Sequence, residues 1–195
     1  MLYLILTFRS EYFTLLLNVV KENSGDVIKF LGDAVLIIWP VDKNVSEDVQ
    51  SAATLMACLC ALQLLKDCGT YDRGEGQNKV SLRLHCGIGA GLVHCMCMGE
   101  EDRWEFLISG DPLNQVGVAE SEAATGEVCL SEIAFSRIDK KLETKKMPKG
   151  SYKLTGRFLF GTNVNSSNYR SNIFEKENNA SKLTSEGIFR GVSFS

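Results

Sequence analysis

The chain has 195 residues, of which 45% are hydrophobic and 23% are charged. These fractions suit one compact core and exclude a wholly disordered, collagenous or membrane-spanning chain. The net charge of -3 is unevenly distributed: residues 1–139 carry 10 basic and 20 acidic side chains, whereas residues 140–195 carry 11 and 4. An acidic body of this kind argues against a broad nucleic-acid-binding face.

The cysteines indicate the compartment. There are seven, an odd number without a C-x-x-C pair, which favours reduced thiols in a cytoplasmic protein over a disulfide framework. The apolar start, MLYLILTF, lacks a basic leader and a cleavage site and is too short to cross a bilayer. We therefore predict neither a signal peptide nor a transmembrane segment.

The first half of the chain predicts two helices and a hairpin. Apolar residues at helical spacing predict a helix over residues 10–22, and two β-prone runs about Leu31-Gly32-Asp33 predict a hairpin. Ser46, followed by two acidic residues, begins a second helix that ends near Cys68. The polar residues 70–79 predict a loop.

The second half predicts further strands and two helices. Residues 80–91 and 92–99 read as two strands about a Gly-rich bend that form a central hairpin, and residues 103–109 form the next strand. A turn then leads into a helix with Pro112 in its first turn, followed by a short strand (127–131), a short helix (132–138) and a last strand from Tyr152. This order predicts an α+β fold, in which helices cover a mainly antiparallel sheet.

Two units are expected along the chain. Residues 1–160 form the folded domain, and residues 161–195 form a flexible tail, because 13 of the last 34 residues are Ser or Asn and their apolar residues are scattered singly.

The run from Gly25 to Ala34, GDVIKFLGDA, carries the clearest chemical signal. An aspartate at a hairpin tip, Asp33, behind a glycine, Gly32, can hold a hard cation, while backbone N–H groups approach a phosphate. Lys29 lies four residues earlier on the same strand and can reach a polar ligand. The alternative is ordinary turn chemistry, for which Gly and Asp are also preferred.

Three segments together resemble one family. GDVIKFLGDAVLIIWP, LRLHCGIGAGLVHCMCMG and FLISGDPLNQVGVAESEA occur in the order and spacing of the class III nucleotidyl cyclase catalytic domain. Within that class they are most similar to the first catalytic domain of the bicarbonate-responsive soluble adenylyl cyclases. The resemblance implies a ferredoxin-like core whose first strand is missing, so that the domain is truncated at its N-terminus.

The resemblance also implies an activity. It is the conversion of ATP to cyclic AMP and pyrophosphate with two Mg²⁺ or Mn²⁺ ions, at a site shared with a second cyclase domain in cis or in trans. Asp33 matches a metal-binding aspartate, Lys29 a nucleotide- or effector-binding lysine, and Asn114 the asparagine that orients the ribose, while Gly32 belongs to the same tip.

Departures from the family pattern shape the interpretation. No F-x-D-[IL]-x-x-F-[TS] string precedes Asp33, so the other metal-binding aspartate is missing. Val118 occupies the position of the family's transition-state arginine, and Leu107 the position of its second adenine-reading group. Gly117 occupies the position of the bicarbonate-binding arginine. These losses suit the metal-bearing half of a two-domain cyclase and predict an inactive isolated chain. The alternatives are a non-catalytic regulatory or partner-binding module and an inactive fragment.

Three other patterns have simpler explanations. Gly87-Ile88-Gly89-Ala90-Gly91 is followed by β-prone residues and not by the helix of a dinucleotide loop. In a strand, His94 faces away from Cys95 and Cys97, which argues against a zinc site. We expect the basic run from Lys140 to Lys149 to be a solvated loop.

Overall fold

The computed structural model describes residues 2–31, 34–42, 44–73, 80–100, 103–138, 142–158 and 193–194. The helices are α1 (Leu2–Glu22), α2 (Glu47–Cys68), α3 (Asp111–Glu122) and α4 (Glu132–Ile138). The strands are β1 (Asp26–Leu31), β2 (Ala34–Ile38), β3 (Thr70–Arg73), β4 (Val80–Arg83), β5 (Cys86–Ile88), β6 (Val93–Glu100), β7 (Arg103–Ser109), β8 (Val128–Leu130), β9 (Leu142–Lys146), β10 (Tyr152–Phe158) and β11 (Ser193–Phe194). The predicted α+β class is confirmed.

The two long helices pack against each other because each has an apolar face. α1 begins at Leu2 and so is longer than the predicted helix over 10–22. Its buried side chains Tyr12, Leu16, Val19 and Val20 form one cluster with Cys60, Leu64 and Cys68 of α2. α2 begins after Ser46 as predicted, and its other face joins α4 and β8 in the main core. α2 is thus buried on several sides.

The β1–β2 hairpin has the predicted boundaries at its tip. Leu31 and Ala34 are register partners, so the chain reverses between them. A register shift between Val27 and Lys29 marks a β-bulge at Ile28, which increases the local twist. Immediately after β2, Trp39 packs against all three clusters of buried residues. The hairpin is therefore fixed to the core at its base.

The described strands form four sheets. β1 pairs with β2, and β3 with β4, while the other two sheets have the orders β5-β8-β10-β9 and β11-β6-β7. All the pairs are antiparallel except β5 with β8.

The predicted central hairpin of residues 80–91 and 92–99 is wrong. β4 pairs with β3, β5 with β8, and β6 with β7, so the bend at residues 89–92 carries the chain from one sheet to another. The β6–β7 ribbon is the long hairpin of this region, with Met96 opposite Leu107.

Two predicted loops contain strands. Residues 70–73 of the predicted 70–79 loop form β3, because they pair in antiparallel register with β4. Part of the basic run forms β9, where Lys145 and Lys146 pair with β10, and the Lys146 ammonium lies 5.5 Å from the centre of the Tyr152 ring. The expectation of a solvated loop is therefore wrong for residues 142–146; residues 140–141 lie outside the described part.

Most of the predicted tail lies outside the described residues. The described domain runs to residue 158, and the two residues of β11 pair with Val93 and His94 of β6. The flexible tail over 161–195 stays a prediction.

Candidate active site

The base of the β1–β2 hairpin is held by close packing around a glycine. A Cβ at Gly25 would lie 2.8 Å from the Trp39 ring, and the indole N–H of Trp39 donates to the backbone carbonyl of Asn23 at 2.9 Å. The Asn23 side chain in turn donates to the carbonyl of Val19 in α1 and to Gln63 in α2. The hairpin therefore leaves the helices in a defined direction.

Of the candidate residues on the hairpin, Lys29 lies in the described part of the chain. Lys29 is exposed on β1, opposite Leu36 of β2. Gly32 and Asp33 lie outside the described residues, between the register partners Leu31 and Ala34. Asp26 is exposed at the opposite end of the strand, opposite Ile38, and so is not a second carboxylate at the tip.

The Gly-rich segment fits against α3. A Cβ at Gly87 would lie 2.5 Å from the backbone N of Glu120 and O of Val116, and a Cβ at Gly89 would lie 2.6 Å from the carbonyl of Pro112. Because alternate residues of a strand face the same side, these two glycines let β5 and α3 approach closely. The glycines therefore serve helix–strand packing, and no dinucleotide-loop helix follows them.

α3 begins directly after β7 at a residue that only glycine tolerates well. Gly110 has φ of +142°, and a Cβ there would lie 2.5 Å from the carbonyl of Leu92. Pro112 is in the first turn, as predicted, and is buried. Asn114, the candidate ribose-contacting residue, lies two residues after Pro112 and is exposed.

Gln115 fixes the position of this helix start, and sequence reasoning did not identify it. Its side-chain oxygen accepts hydrogen bonds from the backbone N–H of Ala90 (3.1 Å) and from the Ser131 hydroxyl (2.7 Å). Its side-chain N–H donates to the Asp111 carboxylate at 2.6 Å. A polar residue within the first turns of a helix gives no periodic signal. Only the fold shows that Gln115 is hydrogen-bonded through both its side-chain oxygen and its side-chain N–H.

The three positions at which the resemblance leads us to expect polar groups are on the surface. Leu107 and Val118 are 37% and 48% exposed, and no atom lies within 4 Å of a Cβ placed on Gly117. Packing therefore does not demand an apolar or small residue at any of them. Their identities alter surface chemistry, and not the core.

The hairpin and the start of α3 border the same cavity. Ile28 and Leu36 line it from the hairpin, and Pro112 and Leu113 line it from α3. Lys29 and Asn114 are the neighbours in sequence of Ile28 and Leu113, and both are exposed and make no hydrogen bond with the described residues. The fold thus brings the two elements to one region, while no hydrogen bond joins the two side chains.

The described residues contain no cluster of three or more His, Cys, Asp or Glu side chains with metal-binding geometry. His94 is exposed and Cys95 is buried on β6, as expected for a packed strand. Burial raises the pKa of the Cys60 and Cys86 thiols to about 12, so both are protonated at neutral pH.

One described helix, α2, is long and apolar enough to cross a membrane. Half of its apolar window is buried inside the fold, as is usual for a core helix, so this is weak evidence for a span.

Comparison with known proteins agrees with this architecture. Residues 4–170 match the adenylate and guanylate cyclase catalytic domain, which covers most of the chain. The chain therefore belongs to this family, the class III cyclase catalytic domains.

The relatives include adenylate cyclases. Adenylate cyclase type 10 from Oryctolagus cuniculus is 27% identical over 138 residues, which are 70% of this chain and 8% of that protein. Adenylate cyclase 1 from Rhizobium meliloti is 26% identical over 106 residues, 54% of this chain and 15% of that protein. The chain thus spans a small part of the length of these relatives.

Solved structures show the same fold. The catalytic core of a rhodopsin-guanylyl cyclase with converted specificity, in complex with ATPalphaS, superposes with a TM-score of 0.59 at 21% identity, over 76% of this chain and 80% of that one. The adenylyl cyclase CyaB from P. aeruginosa gives 0.54 at 17% identity, over 76% and 80%.

Proposed function

We propose that this chain is the metal-bearing half of an adenylate cyclase, a phosphorus–oxygen lyase that converts ATP to cyclic AMP and pyrophosphate with a partner cyclase domain. The observation that carries the proposal is the family match, which spans the hairpin, the Gly-rich strand and the α3 start in order. Because the relatives include adenylate cyclases, we infer that the substrate is ATP and not GTP.

The structure constrains what this chain contributes to such a reaction. Lys29 and Asn114 are exposed on two elements that border one cavity, so both are available to a nucleotide or effector bound at this surface. Gln115 holds the α3 start in place through its bonds to Ala90 and Ser131. Asp33 is the carboxylate that the proposal requires at the hairpin tip.

The described residues do not by themselves fit a two-metal site. They hold no ligand cluster, and Asp26 lies at the far end of β1 from Asp33. The Mg²⁺ or Mn²⁺ of the proposal would therefore need Asp33 together with ligands from outside the described residues.

A partner domain is supported by exposed apolar side chains. Phe30 and Leu31 are 48% and 52% exposed next to the hairpin tip, and Met96 and Met98 are 47% and 55% exposed on the β6–β7 ribbon. Each of these exposed apolar side chains is available for burial against a partner. A second cyclase domain is the partner that the family suggests, and the thiols favour a cytoplasmic location for the complex.

A non-catalytic, partner-binding module is the second candidate. It is favoured by Leu107 and Val118, which place exposed apolar side chains where the family resemblance expects polar, nucleotide-contacting ones. A domain of this kind would bind its partner without turnover.

The test measures cyclic AMP and cyclic GMP formation from ATP and GTP, with Mg²⁺ and with Mn²⁺. It uses the purified chain, then the chain mixed with a partner cyclase domain that carries the missing arginine and purine-reading residues, and then the longest natural protein that contains the chain. We expect no turnover by the chain alone and ATP-specific turnover in an assembly.

Asp33→Asn tests the role of the hairpin in that assembly, with Asp26→Asn, at the start of β1, as the matched control. Asp33→Asn should lower turnover by at least about a hundredfold, since charge stabilisation at the reacting phosphates is a large part of such catalysis. Asp26→Asn should leave it within about twofold. Pairing without turnover in every assembly would favour the non-catalytic module.

A further inference from the structure

The β1–β2 hairpin contacts α1 close to its tip as well as at its base. The Phe30 ring of β1 lies against the Phe13 ring of α1, with the ring centres 5.4 Å apart and the ring planes at 83°. This is the edge-to-face arrangement that aromatic pairs prefer. Phe13 in turn packs against the buried cluster that α1 and α2 share. The contact therefore joins the helices to the strand one residue before the last register pair of the hairpin.

The register of the hairpin explains why Phe30, and not Lys29, faces α1. Phe30 is opposite Val35, and residues directly opposite each other in an antiparallel pair share a face. Val35 packs against the same cluster as Phe13, so this face is the helix side of the hairpin. Lys29 and its partner Leu36 are the adjacent pair along the strands and so lie on the other side.

The β-bulge at Ile28 allows this arrangement. Val27 also packs against the cluster, so it faces the helices as Phe30 does. In a regular strand Val27 and Lys29 would share a face, and the lysine would point at α1. The extra residue Ile28 shifts the alternation by one position, which turns Lys29 outward and Phe30 inward. Bulges are common next to functional sites, where they re-aim a side chain.

Burial in the core does not account for Phe30. Its side chain is 48% exposed, so about half of its surface stays in contact with water. Its contact with Phe13 instead limits how the hairpin can move, because the bulge interrupts the ladder between the base and the tip. The hairpin is held at its base by Trp39 and near its tip by Phe30, and two attachment points define a direction that one would not.

We propose that Phe30 is a positioning residue of the candidate site: its contact with Phe13 fixes the direction in which the hairpin tip projects and keeps Lys29 on the side away from the helices. The inference rests on the proposed function only for what the tip binds, because the contact itself lies within this chain. The rival explanation is that the exposed Phe30 serves as a contact for the partner domain, and in that case Phe13 should not matter.

Hydrogen exchange in the full 195-residue chain tests the positioning without turnover. Phe30→Leu and Phe13→Leu each keep an apolar side chain and remove the ring pair. Each should speed amide exchange over residues 29–36 about two- to tenfold, the range expected for the loss of one aromatic pair. The double variant should exchange no faster than the faster single variant, because both remove the same contact. Exchange in β8 should not change, which shows that the domain stays folded.

Two further variants are the controls. Phe30→Tyr keeps the ring and should exchange within about twofold of the wild type. Leu15→Ala, at a 41% exposed residue of α1, removes a similarly exposed apolar side chain and should also stay within about twofold. Unchanged exchange in Phe13→Leu, or effects of the two Leu substitutions that add in the double variant, would overturn the proposal.

Turnover in an assembly with a partner cyclase domain separates the two explanations. A positioning role predicts that Phe30→Leu and Phe13→Leu both lower kcat at least about fivefold, because small misplacements of reacting groups are costly. Phe30→Tyr should restore kcat. If instead Phe30→Leu raises the partner concentration needed for half-maximal turnover and Phe13→Leu changes nothing, Phe30 is a partner contact and the proposal is wrong. If no assembly turns over while the exchange results are as expected, the proposed function fails and the positioning of the hairpin remains supported.

Discussion

The Ser131 hydroxyl donates a hydrogen bond to the side-chain oxygen of Gln115 at 2.7 Å, and the same hydroxyl accepts one from the backbone N–H of Ala134. Ser131 thus caps the start of α4 and joins it to α3 at once. Through Gln115 this link extends to Ala90 at the end of the Gly-rich strand. Three elements of the candidate site therefore depend on one side-chain amide.

Gln115→Met keeps the length of the side chain and removes these bonds. We expect it to lower the free energy of unfolding by about 1–3 kcal/mol, because the Ala90 N–H and the Ser131 hydroxyl lose their acceptor. Urea denaturation measures the change. Ser121→Ala, which removes an exposed bond to the Val118 carbonyl and a long one of 3.4 Å from the Lys149 ammonium, should stay within about 0.5 kcal/mol. Equal effects of the two substitutions would show that the Gln115 link is not important for stability.

Two glycines make a matched pair with opposite expectations. Gly87→Ala would place a Cβ 2.5 Å from backbone atoms of α3 and should destabilise the domain by at least about 2 kcal/mol, because backbone cannot move aside cheaply. Gly117→Ala meets no atom within 4 Å and should stabilise α3 by about 0.5–1 kcal/mol. Thermal unfolding of both variants decides; a stable Gly87→Ala protein would contradict the packing of β5 on α3.

Stability should fall at acid pH through two carboxylates near β10. Loss of hydration opposes ionisation of Glu122, but hydrogen bonds from Ser151 and Lys149 outweigh it and lower its pKa. The hydrogen bond from Lys153 is the main cause of the lowered pKa of Glu127. A carboxylate whose pKa is lower in the folded state stabilises that state at pH values above its ordinary pKa of 4.5. This stabilisation is lost as the pH falls through the pKa of the carboxylate in the folded state.

The corresponding measurement is the free energy of unfolding between pH 3 and pH 7. Glu122→Gln and Glu127→Gln should each flatten the acid side of this curve. Glu132→Gln, at an exposed residue of α4, is the control and should leave its shape unchanged. A wild-type curve that is flat below pH 4.5 would contradict the assigned hydrogen bonds.

Lys29→Met tests what the exposed lysine of β1 binds in a two-domain assembly. We expect it to change the response to small anions such as bicarbonate more than the KM for ATP, because the resemblance places it at the site that does not bind substrate. Lys66→Met, on the exposed side of α2, is the control. A large rise in KM for ATP with an unchanged anion response would place Lys29 at the adenine instead.

The sequence predicted the elements whose signals are local. Ser46 with Glu47 and Asp48 marked the start of α2, and the apolar run before Pro40 marked β2. Both signals depend on residues that are neighbours in the chain, where capping, helix-dipole and alternation preferences act.

The errors have a different cause. Strands β4, β5 and β6 were all recognised as β-prone, but their partners were not, because pairing depends on tertiary contacts that no local pattern encodes. β9 was missed because its sequence, LETKK, has one apolar residue and so no alternation of apolar and polar positions. Leu142 is its buried residue, and its two lysines are exposed. Gln115 carried no periodic signal, and only the fold shows its hydrogen bonds with Ala90 and Ser131.

The burial of the thiols has a practical use. Of the seven cysteines, Cys97 on the β6–β7 ribbon is exposed, whereas five are buried and Cys86 is intermediate. Burial raises the pKa of Cys58 and Cys60, which makes these thiols unreactive as well as hidden. A maleimide dye or a nitroxide should therefore attach first to Cys97 in the wild-type protein. Such a label would report directly on whether a second domain covers the ribbon.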